Sequence, residues 1–224
     1  MEAWEHPRYE QLYRALPDIW NHKSILYVGA HEGRIQFGEP IREHELEIDV
    51  LEIWKPNVEH LRESVPWFNQ VIEGDIREIG KSVSHKYDIV FWWHGPEHIS
   101  KEELFLTLQQ IEQFANHYVV LGCPWGTYDQ GEEYGNPYEV HRNALYERDF
   151  QRYGYHTSTI GRRDVPGSNL LAWKDLTVAP EFTSGTPIAQ GVGCRGELQL
   201  TLAGDFDQVK RDIEILRHSR PHLP

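Results

Sequence analysis

Residues 24–34 read S-I-L-Y-V-G-A-H-E-G-R, an apolar run that breaks at Gly29 and reaches another glycine at Gly33. The pattern predicts a buried strand over residues 24–29 that turns sharply into a helix. Small residues in such a turn let backbone N–H groups approach a ligand, and a helix N-terminus adds a partial positive charge. The stretch is therefore either an ordinary strand-to-helix turn or the cradle of a nucleotide-like cofactor.

The composition limits the functional classes that the chain can belong to. Its 224 residues suit one domain with a small extra element, and a formal net charge of −13 disfavours a nucleic-acid partner. Cys123 and Cys194 lack the spacing of a metal or redox pair, which predicts free thiols in a reducing compartment. Neither a signal-peptide pattern nor an apolar run of membrane-spanning length is present, so we expect a soluble cytoplasmic protein without a membrane partner.

Strands and helices alternate through most of the chain. After a leading helix within residues 1–22, strands are predicted at residues 24–29, 46–53, 71–72, 87–93 and 118–121. Residues 101–116 form the strongest predicted helix, which starts at a capping box made by Ser100 and Glu103. This alternation predicts a doubly wound α/β fold with helices on both faces of a mostly parallel sheet, whose ligands bind at the carboxyl ends of the strands.

Polar or small residues stand at several of those strand ends. Glu52 lies about 20 residues beyond the glycine turn, where a carboxylate can accept both ribose hydroxyls of a nucleotide. Asp75 follows the third strand and could accept a hydrogen bond from an exocyclic amine, or it could cap a short helix that starts at Ile76. The apolar run Tyr87–Trp93 is typical of a central parallel strand and leads into His94.

The second half of the sheet has a different pattern. Residues 122–137 are rich in Gly, Pro and aromatic residues, which favours a lid or binding loop, and a helix is expected from about 138 to 153. Strands at residues 155–160 and 169–173 are joined by a connection that is too short for a helical crossover. We therefore expect a seven-stranded sheet that finishes antiparallel.

This order of elements resembles the class I S-adenosylmethionine-dependent methyltransferases over residues 24–174. I-L-Y-V-G-A-H-E-G-R resembles the family's glycine-rich first motif, L-E-I-W-K-P-N the strand with the ribose-binding acid, and E-G-D-I the segment whose Asp meets adenine. Y-D-I-V-F-W-W-H-G-P-E-H-I resembles the fourth-strand motif, and N-P-Y-E-x-H with D-F-x-x-x-G-Y the segment that leads into the sixth strand. The first motif is divergent, because Tyr27 and His31 stand where the family usually has an acid and a glycine.

The resemblance implies that S-adenosylmethionine is the cofactor. The residues expected to bind it are Tyr27, Gly29, Ala30, His31, Gly33, Glu52, Ile53, Asp75, Ile76 and His94. Methyl transfer to a hydroxyl group needs a general base, for which histidine is suited near neutral pH. The candidate catalytic residues are His94, Glu97, His98 and His141.

The acceptor is expected to be an oxygen atom of a small molecule. No N/D-P-P-Y run follows the fourth strand, which disfavours methylation of adenine amines. The aromatic residues expected to contact the acceptor are Trp125, Tyr128, Tyr134 and Tyr138.

Three alternatives compete with this interpretation. His94-x-x-Glu97-His98 spells the inverted metalloprotease signature, but Gly95-Pro96 prevents the helix that this signature needs, so no metal is expected. An NAD-dependent oxidoreductase would also use Glu52, but the chain lacks G-x-G-x-x-G and the sheet should finish antiparallel. A catalytically inactive cofactor-binding or scaffolding module of the same fold is favoured by the divergent first motif.

Residues 181–224 lie beyond the methyltransferase-like domain, which is assigned to residues 1–180. A Gly/Thr/Pro-rich linker at 183–196 precedes an alternating strand pattern and then a helical pattern. The apolar positions of these two elements are Leu198, Leu200, Leu202, Phe206, Val209, Ile213 and Leu216. Such small amphipathic elements must bury their apolar faces, so we expect this appendage to act as the arm of a homodimer.

Overall fold

The computed structural model describes residues 7–33, 44–161 and 168–178. The chain divides between residues 181 and 182, and all described residues belong to the first unit. The linker, strand, helix and dimer arm predicted for the last part of the chain lie outside the described residues.

One seven-stranded sheet organises the described residues. Its strands are β1 (Ser24–Val28), β2 (Glu47–Glu52), β3 (Gln70–Glu73), β4 (Tyr87–Trp93), β5 (Ala115–Pro124), β6 (His156–Ile160) and β7 (Asn169–Asp175). They lie in the order β3-β2-β1-β4-β5-β7-β6. The contacts among β1 to β5 are parallel, whereas β7 runs antiparallel to both β5 and β6. The predicted mostly parallel sheet with an antiparallel last strand is confirmed.

Helices cover both faces of this sheet. They are α1 (Pro7–Ala15), α2 (Lys55–Ser64), α3 (Lys101–Glu112) and α4 (Glu147–Gln151), with 3-10 helices at Ile19–Asn21, Ile76–Lys81, Pro96–His98 and Pro137–Glu139. The predicted capping box of α3 is present, because the Glu103 N–H donates to Ser100 Oγ and the Ser100 N–H donates to Glu103 Oε2. Among the described residues, no helix has the length and apolar character needed to cross a membrane.

The core consists of two clusters, one on each face of the sheet. Successive side chains of a strand point to opposite faces, so β1 contributes Ile25 to one cluster and Leu26 to the other. Leu12 of α1 and Leu61 of α2 join Ile25, and Leu104 of α3 joins Leu26. The doubly wound arrangement that the sequence predicts is therefore present.

The helix predicted over residues 138–153 is wrong. Only Glu147–Gln151 is α-helical, and Pro137–Glu139 forms a separate 3-10 turn. Between them, the Arg142 N–H donates to the carbonyl oxygen of Glu97 at 2.8 Å, and Asn143 Nδ2 donates to the carbonyl oxygen of Pro96 at 3.2 Å. These partners lie in the loop after β4, so this segment covers that loop instead of bonding to itself.

The helix predicted over residues 101–116 is shorter than expected. It ends at Glu112, and Ala115 is the first residue of β5 instead of the last apolar position of the helix. The Tyr87 N–H donates to the carbonyl oxygen of Phe114 at 2.9 Å, so pairing with β4 starts there.

Candidate active site

A cavity of about 140 Å³ opens at the carboxyl ends of the four parallel strands β1 to β4. Each strand contributes one of the residues that the sequence places at these ends, namely Gly29, Glu52, Asp75 and His94. Ile53, Ile76 and His31 also line it. Its position is typical of a small-molecule or cofactor site in an open α/β sheet.

The turn after β1 has a backbone that a ligand can approach closely. Gly29 has a φ of +73°, and a Cβ atom placed there would meet no protein atom within 4 Å. His31 has a φ of +52°, so it adopts a left-handed conformation that usually favours glycine. The divergent motif thus keeps the backbone geometry of a glycine while it carries an imidazole, whose Nε2 lies 4.0 Å from Glu139 Oε1.

Glu52 is a buried carboxylate at the cavity wall, with only 4% of its surface exposed. Its Oε1 accepts the N–H of Trp54 at 2.9 Å, and its Oε2 accepts the N–H of His31 at 3.2 Å. Burial raises the pKa of Glu52 to about 7 even though these two donors lower it, and the nearby Glu139 raises it further. A ligand that donates hydrogen bonds to this carboxylate would stabilise its ionised form.

Asp75 has a strong partner within the protein. Arg77 Nε lies 3.0 and 2.9 Å from the two Asp75 oxygens, and Arg77 Nη2 lies 2.6 Å from Oδ2. Asp75 also caps the 3-10 helix that follows it, because its Oδ1 accepts the N–H of Arg77. The capping role that the sequence allows is therefore present. Arg77 also bonds to a second acid, with its Nη1 2.7 Å from Glu103 Oε1.

Three of the residues predicted to bind the cofactor do not line the cavity. The Tyr27 ring is 5% exposed and stacks on Phe91 with 5.9 Å between ring centroids, and Ala30 is buried in the same core cluster. Gly33 has a φ of +82°, and a Cβ there would lie 2.7 Å from Val65 Cγ2. These residues lie on the core side of the turn and not on its cavity side, because their neighbours belong to the core and to α2.

A second cavity, of about 350 Å³, adjoins the first. Its walls include His94, His98 and Glu139, all of which also line the first cavity. Glu97 and His141 line only the second. All four predicted catalytic residues therefore line the second cavity.

His94 is held by a buried acid. Its Nδ1 lies 3.2 Å from Glu97 Oε1, and its backbone has a φ of +51°. Glu97 is 2% exposed, and its Oε2 has no hydrogen-bond partner among the described residues.

His98 and His141 each bond to a backbone carbonyl group. His98 Nδ1 lies 3.3 Å from the carbonyl oxygen of Val140, and His141 Nδ1 lies 2.6 Å from that of Tyr128. A carbonyl oxygen can only accept, so Nδ1 carries a proton in both rings, and in the neutral form of each ring Nε2 has the lone pair.

The predicted acceptor-binding aromatic residues divide into two groups. Tyr128 lines the second cavity and Tyr138 lines the first. Trp125 and Tyr134 line neither, because Trp125 Nε1 donates to Glu147 Oε2 at 3.0 Å and the Tyr134 side chain is 82% exposed. Tyr134 still contacts the site from outside, with its ring 6.3 Å from that of His31.

Several residues of the site were missed from the sequence. Asn136, Glu139 and Arg142 line the first cavity. They fall in the segment predicted to be lid or helix, and the signal that could have identified them is the compact polar run N-P-Y-E-V-H-R at residues 136–142.

Comparison with known proteins identifies the fold. No protein-family model and no curated protein matches the chain. Among solved structures, the methyltransferase domain of bacterial CtHen1-CN has a TM-score of 0.54 at 16% identity, covering 75% of this chain and 97% of that one. A SAM-dependent methyltransferase from Archaeoglobus fulgidus has a TM-score of 0.51 at 16% identity, covering 74% and 91%.

The N-methyltransferase NodS from Bradyrhizobium japonicum is similar to the same extent, with a TM-score of 0.51 at 11% identity, covering 77% of this chain and 98% of that one. At such identities the likeness establishes the fold alone. The chain has the class I S-adenosylmethionine-dependent methyltransferase fold, as the sequence motifs predict.

Proposed function

We propose that the protein is an S-adenosylmethionine-dependent methyltransferase that methylates an oxygen atom of a small molecule. The observation that carries this proposal is the pair of adjoining cavities with His94 in their common wall. Group transfer between two molecules needs two sites that meet at the reacting atoms, since alignment supplies much of the rate acceleration. One cavity has the features of a nucleotide site, and the other is lined by histidine, tyrosine and acidic side chains.

The first cavity fits S-adenosylmethionine at several points. Glu52 offers a buried carboxylate to a vicinal diol such as that of a ribose, and Gly29 leaves open space for close approach of a ligand to the backbone. Ile53 and Ile76 provide apolar walls next to Asp75 for a planar base. When bound, S-adenosylmethionine supplies an electrophilic methyl group, whose bond to sulfur breaks, with the electron pair staying on sulfur, as a bond to the acceptor oxygen forms.

His94 is the general base in this proposal. The Glu97 carboxylate can only accept a hydrogen bond, so His94 Nδ1 carries a proton and Nε2 has the lone pair that takes the proton of the acceptor hydroxyl. Glu97 is buried and is held through its backbone carbonyl by Arg142, so it can keep the imidazole in one orientation. Tyr128 supplies an aromatic wall for the acceptor in the second cavity.

Calorimetric titration of the full-length protein tests the cofactor assignment. We expect heat of binding with S-adenosylmethionine and none with NAD. Methyl transfer is then measured as release of S-adenosylhomocysteine with a panel of phenols, catechols and polyols. Binding of NAD alone would indicate an oxidoreductase, and no binding of either ligand would indicate a scaffolding module.

A catalytically inactive cofactor-binding or scaffolding module of the same fold is the second candidate, and one observation favours its scaffolding form. The Asp75 carboxylate is bonded to Arg77 through both of its oxygens, which competes with a role in binding the base of a nucleotide. Tight binding of S-adenosylmethionine without methyl transfer to any class of hydroxyl acceptor would support this candidate over the enzyme.

A further inference from the structure

We propose that Glu97, His98 and His141 form a binding site for one divalent transition-metal cation of the zinc type, beside His94 in the second cavity. One potential ligand atom from each of the three residues lies within 4.8 Å of the other two. The cation's chemical role rests on the proposed methyl transfer, but its binding does not.

The two histidines are prepared as metal ligands. Each donates its Nδ1–H to a backbone carbonyl group, His98 to Val140 and His141 to Tyr128. Metal-binding histidines commonly have such an outer partner, because it fixes the tautomer and increases the basicity of the other ring nitrogen. In both rings Nε2 is the nitrogen with a lone pair to offer, and the ring centroids lie only 5.0 Å apart.

Glu97 supplies an independent indication of a ligand. It is 2% exposed, and its Oε2 is buried with no hydrogen-bond partner in the described part of the chain. A buried carboxylate oxygen without a partner is costly, so such atoms in folded proteins usually bind a proton donor, a water molecule or an ion. Oε1 is already committed to His94, which leaves Oε2 for the cation.

The chemistry of the donors selects the class of metal. Two imidazole nitrogens and one carboxylate suit zinc and its transition-metal neighbours, whereas magnesium and calcium prefer sites made of oxygen atoms. Three protein ligands leave a coordination position open, as in catalytic zinc sites. Glu139 Oε2 lies 3.9 Å from His98 Nε2, so a second carboxylate stands beside the cluster.

The ligand set differs from the one that the sequence motif suggests. H-x-x-E-H would use both histidines of the motif on one helix face, but here Pro96–His98 is a 3-10 helix preceded by Gly95. His94 contacts Glu97 instead of joining the cluster, and His141 from the covering segment takes its place. A cation at this position would bind the acceptor hydroxyl and lower its pKa, next to the base that removes its proton.

Metal titration without cofactor tests the proposal. The full-length protein is treated with a chelator, desalted and titrated with zinc chloride by calorimetry and with cobalt chloride by visible absorption. We expect one ion per chain, an absorption band of low-coordinate cobalt, and no heat with magnesium chloride. H98Q and H141Q should each weaken zinc binding by at least about 100-fold, the upper end of what losing even an outer-sphere partner costs.

H60Q is the matched control, because His60 is exposed on α2 and away from the cluster. It should bind zinc as the unmodified protein does, and circular dichroism should show that all variants are folded. If the H98Q change in the loop after β4 prevents folding, the H141Q variant still tests the proposal. The proposal is overturned if the unmodified protein binds neither zinc nor cobalt, or if H98Q and H141Q bind zinc as tightly as H60Q.

Cofactor binding to the same chelator-treated protein separates this proposal from the preceding one. Heat with S-adenosylmethionine but none with zinc would contradict the metal site alone. Heat with zinc but none with S-adenosylmethionine would contradict the methyltransferase and leave the metal site supported.

Discussion

His94 Nδ1 lies 3.2 Å from Oε1 of the buried Glu97, and the His94 side chain stands in the wall that the two cavities share. The left-handed backbone of His94 turns the chain directly after β4, and its N–H donates to the carbonyl oxygen of Gly122 in β5. The imidazole is therefore fixed both through its ring and through its backbone. Such pre-orientation is what a general base in group transfer requires.

Replacement of His94 should affect the rate far more than cofactor binding. For H94Q we expect the kcat of methyl transfer to fall by about 10²- to 10⁴-fold, because glutamine cannot take the proton. The measurement is the initial rate of S-adenosylhomocysteine release with the best hydroxyl acceptor of the panel, together with the cofactor Kd. H60Q serves as the control and should retain the full rate, and a rate for H94Q within threefold of that control would rule out His94 as the base.

The raised pKa of Glu52 makes cofactor binding dependent on pH. Ribose hydroxyls donate to the ionised carboxylate, and burial raises the pKa of this group to about 7 in the unliganded protein. The Kd for S-adenosylmethionine should therefore fall as the pH rises through about 7 and become constant above it. E52Q should raise the Kd by about 10- to 100-fold at pH 8, since hydrogen bonds to a charged group are among the stronger ones.

E73Q is the control for this change, because Glu73 pairs with Glu52 in the register of β3 and β2 but is exposed. It should leave both the Kd and its pH dependence unaltered. If E52Q binds S-adenosylmethionine as tightly as E73Q does at pH 8, Glu52 does not hold the ribose.

The strand ends of the site were predictable because each one is marked by a local change in the sequence. Tyr87–Trp93 is a continuous apolar run, and the run stops at His94 where the chain leaves the core. Glu52 likewise ends a buried strand, and Gly29 directly follows β1. In a parallel sheet these ends meet at one edge, so the order of the strands along the chain was enough to predict that these residues lie close together.

The covering segment was not predictable, since its bonding partners are distant in sequence. Residues 140–146 contain no local pattern that separates a helix from an extended strap. Their conformation depends on Arg142 bonding to Glu97 and on Asn143 bonding to Pro96. The orientation of Tyr27, in contrast, follows from strand alternation, because it shares a face with the buried core residue Ile25.

Arg77 should compete with the cofactor for Asp75. R77Q removes the guanidinium group that bonds both Asp75 oxygens, so one oxygen becomes free to accept the exocyclic amine of adenine. We expect R77Q to bind S-adenosylhomocysteine about 2- to 10-fold more tightly, the worth of one ordinary hydrogen bond. The inosine counterpart, which lacks this amine, should gain nothing.

K81Q is the charge-matched control for R77Q, because Lys81 lies on the same 3-10 helix and pairs with the exposed Glu78. Weaker binding of S-adenosylhomocysteine to R77Q than to K81Q would mean that Arg77 contributes to the cofactor site instead of competing with it.

The two glycines of the first motif should respond differently to the same substitution. G33A introduces a Cβ 2.7 Å from Val65 Cγ2 at a φ of +82°, so we expect the free energy of unfolding to fall by about 2–4 kcal/mol. G29A meets no protein atom within 4 Å and should lose only about 1–2 kcal/mol through its left-handed backbone.

Because Gly29 lines the cavity, however, G29A should raise the Kd for S-adenosylmethionine by at least about tenfold, as expected where a methyl group displaces a ligand. Urea unfolding and calorimetric titration measure the two quantities on both variants. If folded G33A loses more affinity for S-adenosylmethionine than G29A does, the cofactor binds at Gly33, next to α2, and not at Gly29.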